Sequence, residues 1–146
     1  MKSSEQKPVI LCVDDEKIVL DTLSQQLTDA YGHEYEVELA ESAEEAMEVL
    51  MELQSSNARC ALLISDQLMP GMKGDSLLVF ANRMYPAMSS LMLSGQASKE
   101  AIERAEVNGN LYKFVGKPWV KEELMDIVGE ALHAWQAMRQ QAVEAA

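Results

Sequence analysis

Five short apolar runs, Val9–Val13, Tyr35–Leu39, Ala61–Ile64, Met88–Leu93 and Leu111–Val115, alternate with longer segments whose apolar residues return every three or four positions. The short runs read as strands and the 3.6-residue period reads as helix. Strands separated by helix-length segments predict a parallel sheet covered on both faces. Val9–Val13 and Ala61–Ile64 are apolar almost throughout, as central strands buried on both sides require.

The helical segments carry their own punctuation. Leu20, Leu23, Leu27 and Ala30 make one face of the first. Ser42-Ala-Glu-Glu45 opens the second as a capping box, in which Ser42 and Glu45 satisfy each other's free backbone donors. Ala43, Ala46, Met47, Leu50 and Leu53 form its stripe. The third follows the turn cluster Pro70-Gly71-Met72-Lys73-Gly74, uses Leu77, Leu78, Ala81 and Met84, and stops before Pro86. The fourth, Ser98 to Val107, is weakly apolar and breaks at Asn108-Gly109-Asn110. The fifth starts near Val120 and is the strongest. Leu124, Val128, Ala131, Trp135, Met138 and Ala142 alternate spacings of four and three, a heptad seam. The layout is α/β, (βα)₅, in one domain.

Composition narrows the function. A chain of 146 residues, 48 % hydrophobic and 25 % charged, suits one globular domain that needs no disulfide or structural metal to hold its core. The formal net charge of −12 repels phosphate backbones and anionic lipid, so nucleic acid and membrane surfaces are excluded as partners. Basic partners and divalent cations are favoured. Cys12 and Cys60 each sit in an apolar run and read as reduced core thiols. The start, Met1 to Pro8, is polar, and no apolar stretch approaches the roughly 18 residues of a membrane span. A soluble, cytoplasmic protein is expected.

Ligands of an open α/β sheet bind outside the carboxyl ends of its strands. The first strand ends in Asp14-Asp15, the third in Asp66, the fourth in Ser94, and the fifth just before Lys117-Pro118. Right-handed crossovers bring these ends to one edge. Singly, each is an ordinary helix-start acid or turn residue. Jointly, the three carboxylates make a hard, all-oxygen site with no His or Cys, suited to Mg²⁺, with Mn²⁺ able to substitute. One carboxylate there can act as a nucleophile toward phosphorus, while a Lys and a hydroxyl share the charge of the transferred group.

Four motifs carry a family resemblance. They are Val13-Asp14-Asp15-Glu16, Ile64 to Gly74, Leu93-Ser94-Gly95 and Phe114-Val115-Gly116-Lys117-Pro118-Trp119. Asp66 follows Asp15 by 51 residues, Ser94 follows Asp66 by 28, and Lys117 follows Ser94 by 23. Over about Pro8 to Ala134 the chain resembles the receiver domain of two-component response regulators, the family of the chemotaxis receiver. The resemblance implies the flavodoxin-like strand order 2-1-3-4-5. It implies that Asp66 is the phosphoacceptor, that Asp15, Asp66 and the backbone carbonyl of Leu68 hold Mg²⁺ directly with Asp14 acting mainly through water, and that Lys117 pairs with the phosphoryl group. Ser94 would bond a phosphoryl oxygen, and Ser94 and Phe114 would form the switch. A cis Lys117–Pro118 bond is expected. Phe114 lacks the hydroxyl of the commoner Tyr, Ser94 replaces the usual Thr, and Val120 stands where a capping side chain is frequent.

The implied function is a phosphorylation-dependent signalling switch, not an enzyme acting on outside substrates. Its implied donor is a histidine kinase or phosphotransfer protein. Its output would be read at the fourth helix, fifth strand and fifth helix, by a second copy or by an output domain, which includes the enzymatic kind. A haloacid-dehalogenase-type phosphatase would need Asp-x-Asp after its first strand. A flavodoxin-like carrier would need a hydroxyl- and Gly-rich loop there, and no Walker loop occurs. His33 and His133 read as solvated, and Met51, Met69, Met72 and Met125 as core filling before partner surface. Residues 1–7 are expected to be an extended or disordered N-terminus, 8–134 the receiver, and 135–146 a helical extension or linker stub. The seam beyond 134 pairs with a second copy, leads to an output domain, or folds Trp135 back on the domain.

Overall fold

The computed structural model describes residues 6–145. Of the expected N-terminal segment, residues 1–5 lie outside the described residues, and Gln6 and Lys7 are exposed. The elements are β1 (Val9–Val13), α1 (Lys17–Tyr31), β2 (Glu36–Ala40), α2 (Ala43–Ser55), β3 (Cys60–Ser65), α3 (Gly74–Met84), β4 (Ser89–Ser94), α4 (Lys99–Asn108), β5 (Leu111–Gly116) and α5 (Lys121–Ala145). The five strands form one parallel sheet in the order β2-β1-β3-β4-β5.

Strand side chains alternate between faces. Ile10, Cys12, Leu62, Ile64, Leu91 and Leu93 pack with α1 and α5, while Leu11, Val13, Leu63 and Met92 pack with α2, α3 and α4. Every residue of β1, β3 and β4 is buried, which accounts for their unbroken apolar character. β4 opens on two buried serines that need partners. Ser89 donates to the Ala131 carbonyl at 2.9 Å, and Ser90 to the Gly109 and Asn110 carbonyls at 3.1 Å. The edge strands carry charge, Glu36 and Glu38 in β2 and Lys113 in β5, which discourages pairing with another sheet.

Four expectations change in detail. Tyr35 is apolar and buried, yet it precedes the ladder, which opens with Glu36 beside Val9. Its amide bonds back to the Tyr31 carbonyl at 3.0 Å, and its ring packs edge-on against Trp135. The Ser42 hydroxyl caps α2 by accepting from the Glu45 amide at 3.0 Å, but the Glu45 carboxylate turns to the Glu41 amide rather than to Ser42. Met69 and Met125 are buried, whereas Met51 is exposed. Trp135, expected at the start of an extension, is only 4 % exposed and belongs to the core cluster of α1, α5 and the sheet. The seam thus folds onto the domain through Trp135, and the next seam residue, Met138, is 42 % exposed.

Candidate functional site

The parallel ladder runs one residue past its strands, and this brings the acids together. The Asp14 amide donates to the Ala40 carbonyl at 3.2 Å, the Asp66 amide to the Val13 carbonyl at 3.0 Å, and the Lys117 amide to the Ser94 carbonyl at 3.1 Å. Asp14 accepts from the Glu16 amide at 2.9 Å, a local turn that ends β1 and starts α1. The Lys117–Pro118 bond is cis, as expected.

Lys117 stands between two carboxylates. Its Nζ lies 2.7 Å from Asp14 Oδ2 and 3.2 Å from Asp66 Oδ2, with Glu16 farther off at 3.8 Å. Burial works against the Lys117 charge, but the hydrogen bond and charge of Asp14, with the charge of Asp66, overcome it and push its pKa up. Asp14 is 2 % exposed, and this burial pushes its carboxyl up more strongly than Lys117 and the Glu16 amide pull it down. The buried Asp14 and the largely buried Lys117 are thus held by mutual need, since either charge alone would be costly there.

Asp66 is buried but faces an open cavity of about 370 Å³, lined also by Asp15, Glu16, Leu68, Ser94, Gly95, Gln96 and Lys117. Its Oδ1 accepts from the Gln67 amide at 2.7 Å. Asp15 is exposed. Asp14, Asp15 and Asp66 each offer an oxygen within 4.8 Å of the others, an arrangement that could hold a metal ion. The donor set is all oxygen, which fits a hard divalent cation.

The Ser94 hydroxyl is turned into its own loop, donating to the Gln96 carbonyl at 2.9 Å and accepting from the Gln96 amide at 3.3 Å. Phe114 is half-buried and shares an open hollow of about 600 Å³ with Leu68, Gly95, Gln96, Ala97 and Ser98. Trp119 donates from Nε1 to Gln26 Oε1 at 3.0 Å, tying the loop after Lys117 to α1. Val120 is exposed, and His33 and His133 are exposed as expected. A second hollow of about 430 Å³, at the opposite end of the sheet beside Arg59 and Trp135, holds none of the predicted site residues.

The sequence reading missed two parts of this corner. Gly74 opens α3 so close to β3 that a Cβ there would lie 2.1 Å from the Asp66 carbonyl oxygen. Gln67 is 6 % exposed and clasps the start of α3. Its Nε2 donates to Asp75 Oδ1 at 3.0 Å, and its Oε1 accepts from the Asp75 amide at 2.7 Å. A Gly at the end of a turn cluster was the only signal of the first; nothing in the pattern marked the second.

Among curated proteins, the chain is 30 % identical over 131 residues to the hydrogenase transcriptional regulatory protein HoxA of Cupriavidus necator, covering 90 % of this chain and 25 % of that one. It is 31 % identical over 125 residues to the response regulator protein FleR of Pseudomonas aeruginosa, covering 86 % and 24 %. The chain therefore spans about a quarter of the length of these relatives. Among solved structures it is similar to the signal receiver domain of an HD domain-containing protein from Pseudomonas fluorescens Pf-5. That match has a TM-score of 0.78 and 29 % identity and covers 90 % of this chain and 99 % of that one. The response regulator receiver domain family matches residues 10–129. That span takes in nearly the whole sheet and every residue around Lys117, and the chain belongs to the response regulator receiver domain family.

Proposed function

We propose that Asp66 accepts a phosphoryl group from a histidine kinase or phosphotransfer protein, and that the chain then changes its binding surface. The observation that carries this reading is the Lys117 ammonium 3.2 Å from an Asp66 carboxylate that opens onto a cavity. An Asp66 oxygen forms the new O–P bond, and the bond from phosphorus to the donor breaks, its electron pair leaving with the donor imidazole. Lys117, kept protonated by its two carboxylates, balances the charge gathering on the phosphoryl oxygens. The Ser94 hydroxyl gives up the Gln96 carbonyl and donates to a phosphoryl oxygen instead. Phe114, with room beside it, follows by packing alone. The surface of α4, β5 and α5 is where the change would be read, by a second copy or by an output domain.

Asp14, Asp15, Asp66 and the Leu68 carbonyl would hold Mg²⁺, or Mn²⁺ in its place. Bound there, the cation would supply charge neutralisation for the acids and the phosphoryl oxygens.

HoxA is a transcriptional regulatory protein about four times the length of the matched segment. We therefore propose that this chain acts as the receiver part of a signalling system whose output, on DNA or enzymatic, lies in another segment or another protein. A net charge of −12 supports placing any DNA contact elsewhere. We place the receiver in the cytoplasm because its proposed phosphodonor, a histidine kinase or phosphotransfer protein, would act there; among the described residues no helix is long and apolar enough to cross a membrane.

The test is labelling with acetyl phosphate and Mg²⁺. Wild-type protein is expected to take up one base-labile phosphate, and Asp66→Asn none. Equal labelling of both would remove Asp66 as acceptor.

A further inference from the structure

Asp66 is held by more than Lys117. Its Oδ1 accepts from the amide of Gln67, the next residue, at 2.7 Å. The carbonyl of Gln67 accepts from the Gly74 amide at 3.0 Å. Its side chain makes the two-way clasp with Asp75 described above, a donor to Oδ1 and an acceptor from the amide. Every polar group of Gln67 except one amide hydrogen thus fixes the loop between β3 and α3. Two buried or half-buried polar groups that satisfy each other in this way set a single loop geometry.

The second oxygen of Asp75 is also used. Asp75 Oδ2 lies 3.3 Å from Arg104 Nη1, and the same nitrogen donates to Ser76 Oγ at 2.9 Å. Arg104 belongs to α4, and the loop that precedes α4 follows directly on Ser94. A continuous chain of hydrogen bonds therefore leads from the Asp66 carboxylate through Gln67 and Asp75 to α4. Hydrophobic residues would hold the loop without making such a connection.

We propose that Gln67 and Asp75 are positioning residues for Asp66, and that Arg104 makes the reactivity of Asp66 depend on where α4 sits. This rests on the reading of Asp66 as phosphoacceptor. Loss of the clasp leaves the Asp66 side chain in place but frees the loop that aims it and that carries the Leu68 carbonyl. A misplacement of about an ångström near the reacting atoms can cost up to roughly a hundredfold in rate.

The test uses Gln67→Met, which keeps the volume and removes both side-chain hydrogen bonds, and Arg104→Gln. Acetyl phosphate labelling rates and the Mg²⁺ concentration that half-saturates the rise in melting temperature are compared between variants, with labelling measured well below each variant's melting temperature, so that all molecules are folded. Gln67→Met is expected to label about tenfold more slowly and to need more Mg²⁺, with Arg104→Gln shifted less in the same direction. The double variant is expected to be no slower than Gln67→Met alone, because both act along one chain. Wild-type labelling rate and Mg²⁺ response in folded Gln67→Met would overturn the proposal, as would full additivity of the two substitutions. Failure of the wild type to label would instead strike the phosphoacceptor reading.

Discussion

The two cysteines are chemically silent residues whose silence has a measurable consequence. Cys12 and Cys60 are fully buried thiols, and burial pushes both up to about 12 from an ordinary value of about 9. An unfolded chain ionises these thiols first, so their contribution to stability is complete below about pH 9 and is lost as pH rises toward about 12. The urea midpoint of the wild type is expected to fall more steeply between about pH 9 and pH 11 than that of a Cys12→Ala/Cys60→Ala variant. Parallel curves would contradict the burial account. Tyr85, pushed up to about 12 by burial first and by the Cys60 thiolate second, adds to the fall in both proteins and adds less in the variant, which steepens the wild-type curve in the same direction.

Among the elements, α3 and α5 are where sequence pattern and structure part most usefully. Gly74 begins α3 against the Asp66 carbonyl, so Gly74→Ala must push the loop and helix apart. A loss of about 1–3 kcal/mol in urea unfolding is expected, together with slower phosphate uptake. In α5, Trp135→Ala removes a core side chain and is expected to cost about 3–5 kcal/mol, whereas a ring merely lying on the surface would cost under about 0.5. The strand runs were legible because burial on both faces leaves only apolar residues, and the order of acids at strand ends was legible because parallel topology puts those ends on one edge. Tyr35 was placed one residue too early in a strand, and three alternatives stayed open for Trp135, for one shared reason. Periodicity reports that a residue is buried and says nothing of what buries it, and these two bury each other. The Gln67 clasp was invisible for a different reason: a polar residue after a strand carries no pattern until α3 returns to meet it.

The whole molecule gathers 24 acids against 12 bases, and much of that excess is surface. Three acids form a site that a divalent cation would relieve. Mg²⁺ is therefore expected to raise the melting temperature above that in NaCl of equal ionic strength, by about 2.7 kcal/mol of stability at a hundredfold excess over Kd. Asp15→Asn is expected to remove most of that gain, and an equal response in both proteins would locate the effect elsewhere. The receiver fold, the family and the acidic corner all support the proposed phosphorylation of Asp66. The most direct measurement is to treat the protein with acetyl phosphate and Mg²⁺, reduce it with borohydride, and sequence its peptides by mass spectrometry. An aspartyl phosphate is reduced to homoserine where it forms, and the account predicts that conversion at Asp66 alone and only with Mg²⁺ present. Homoserine at Asp14 or Asp15, or none at position 66, would contradict it.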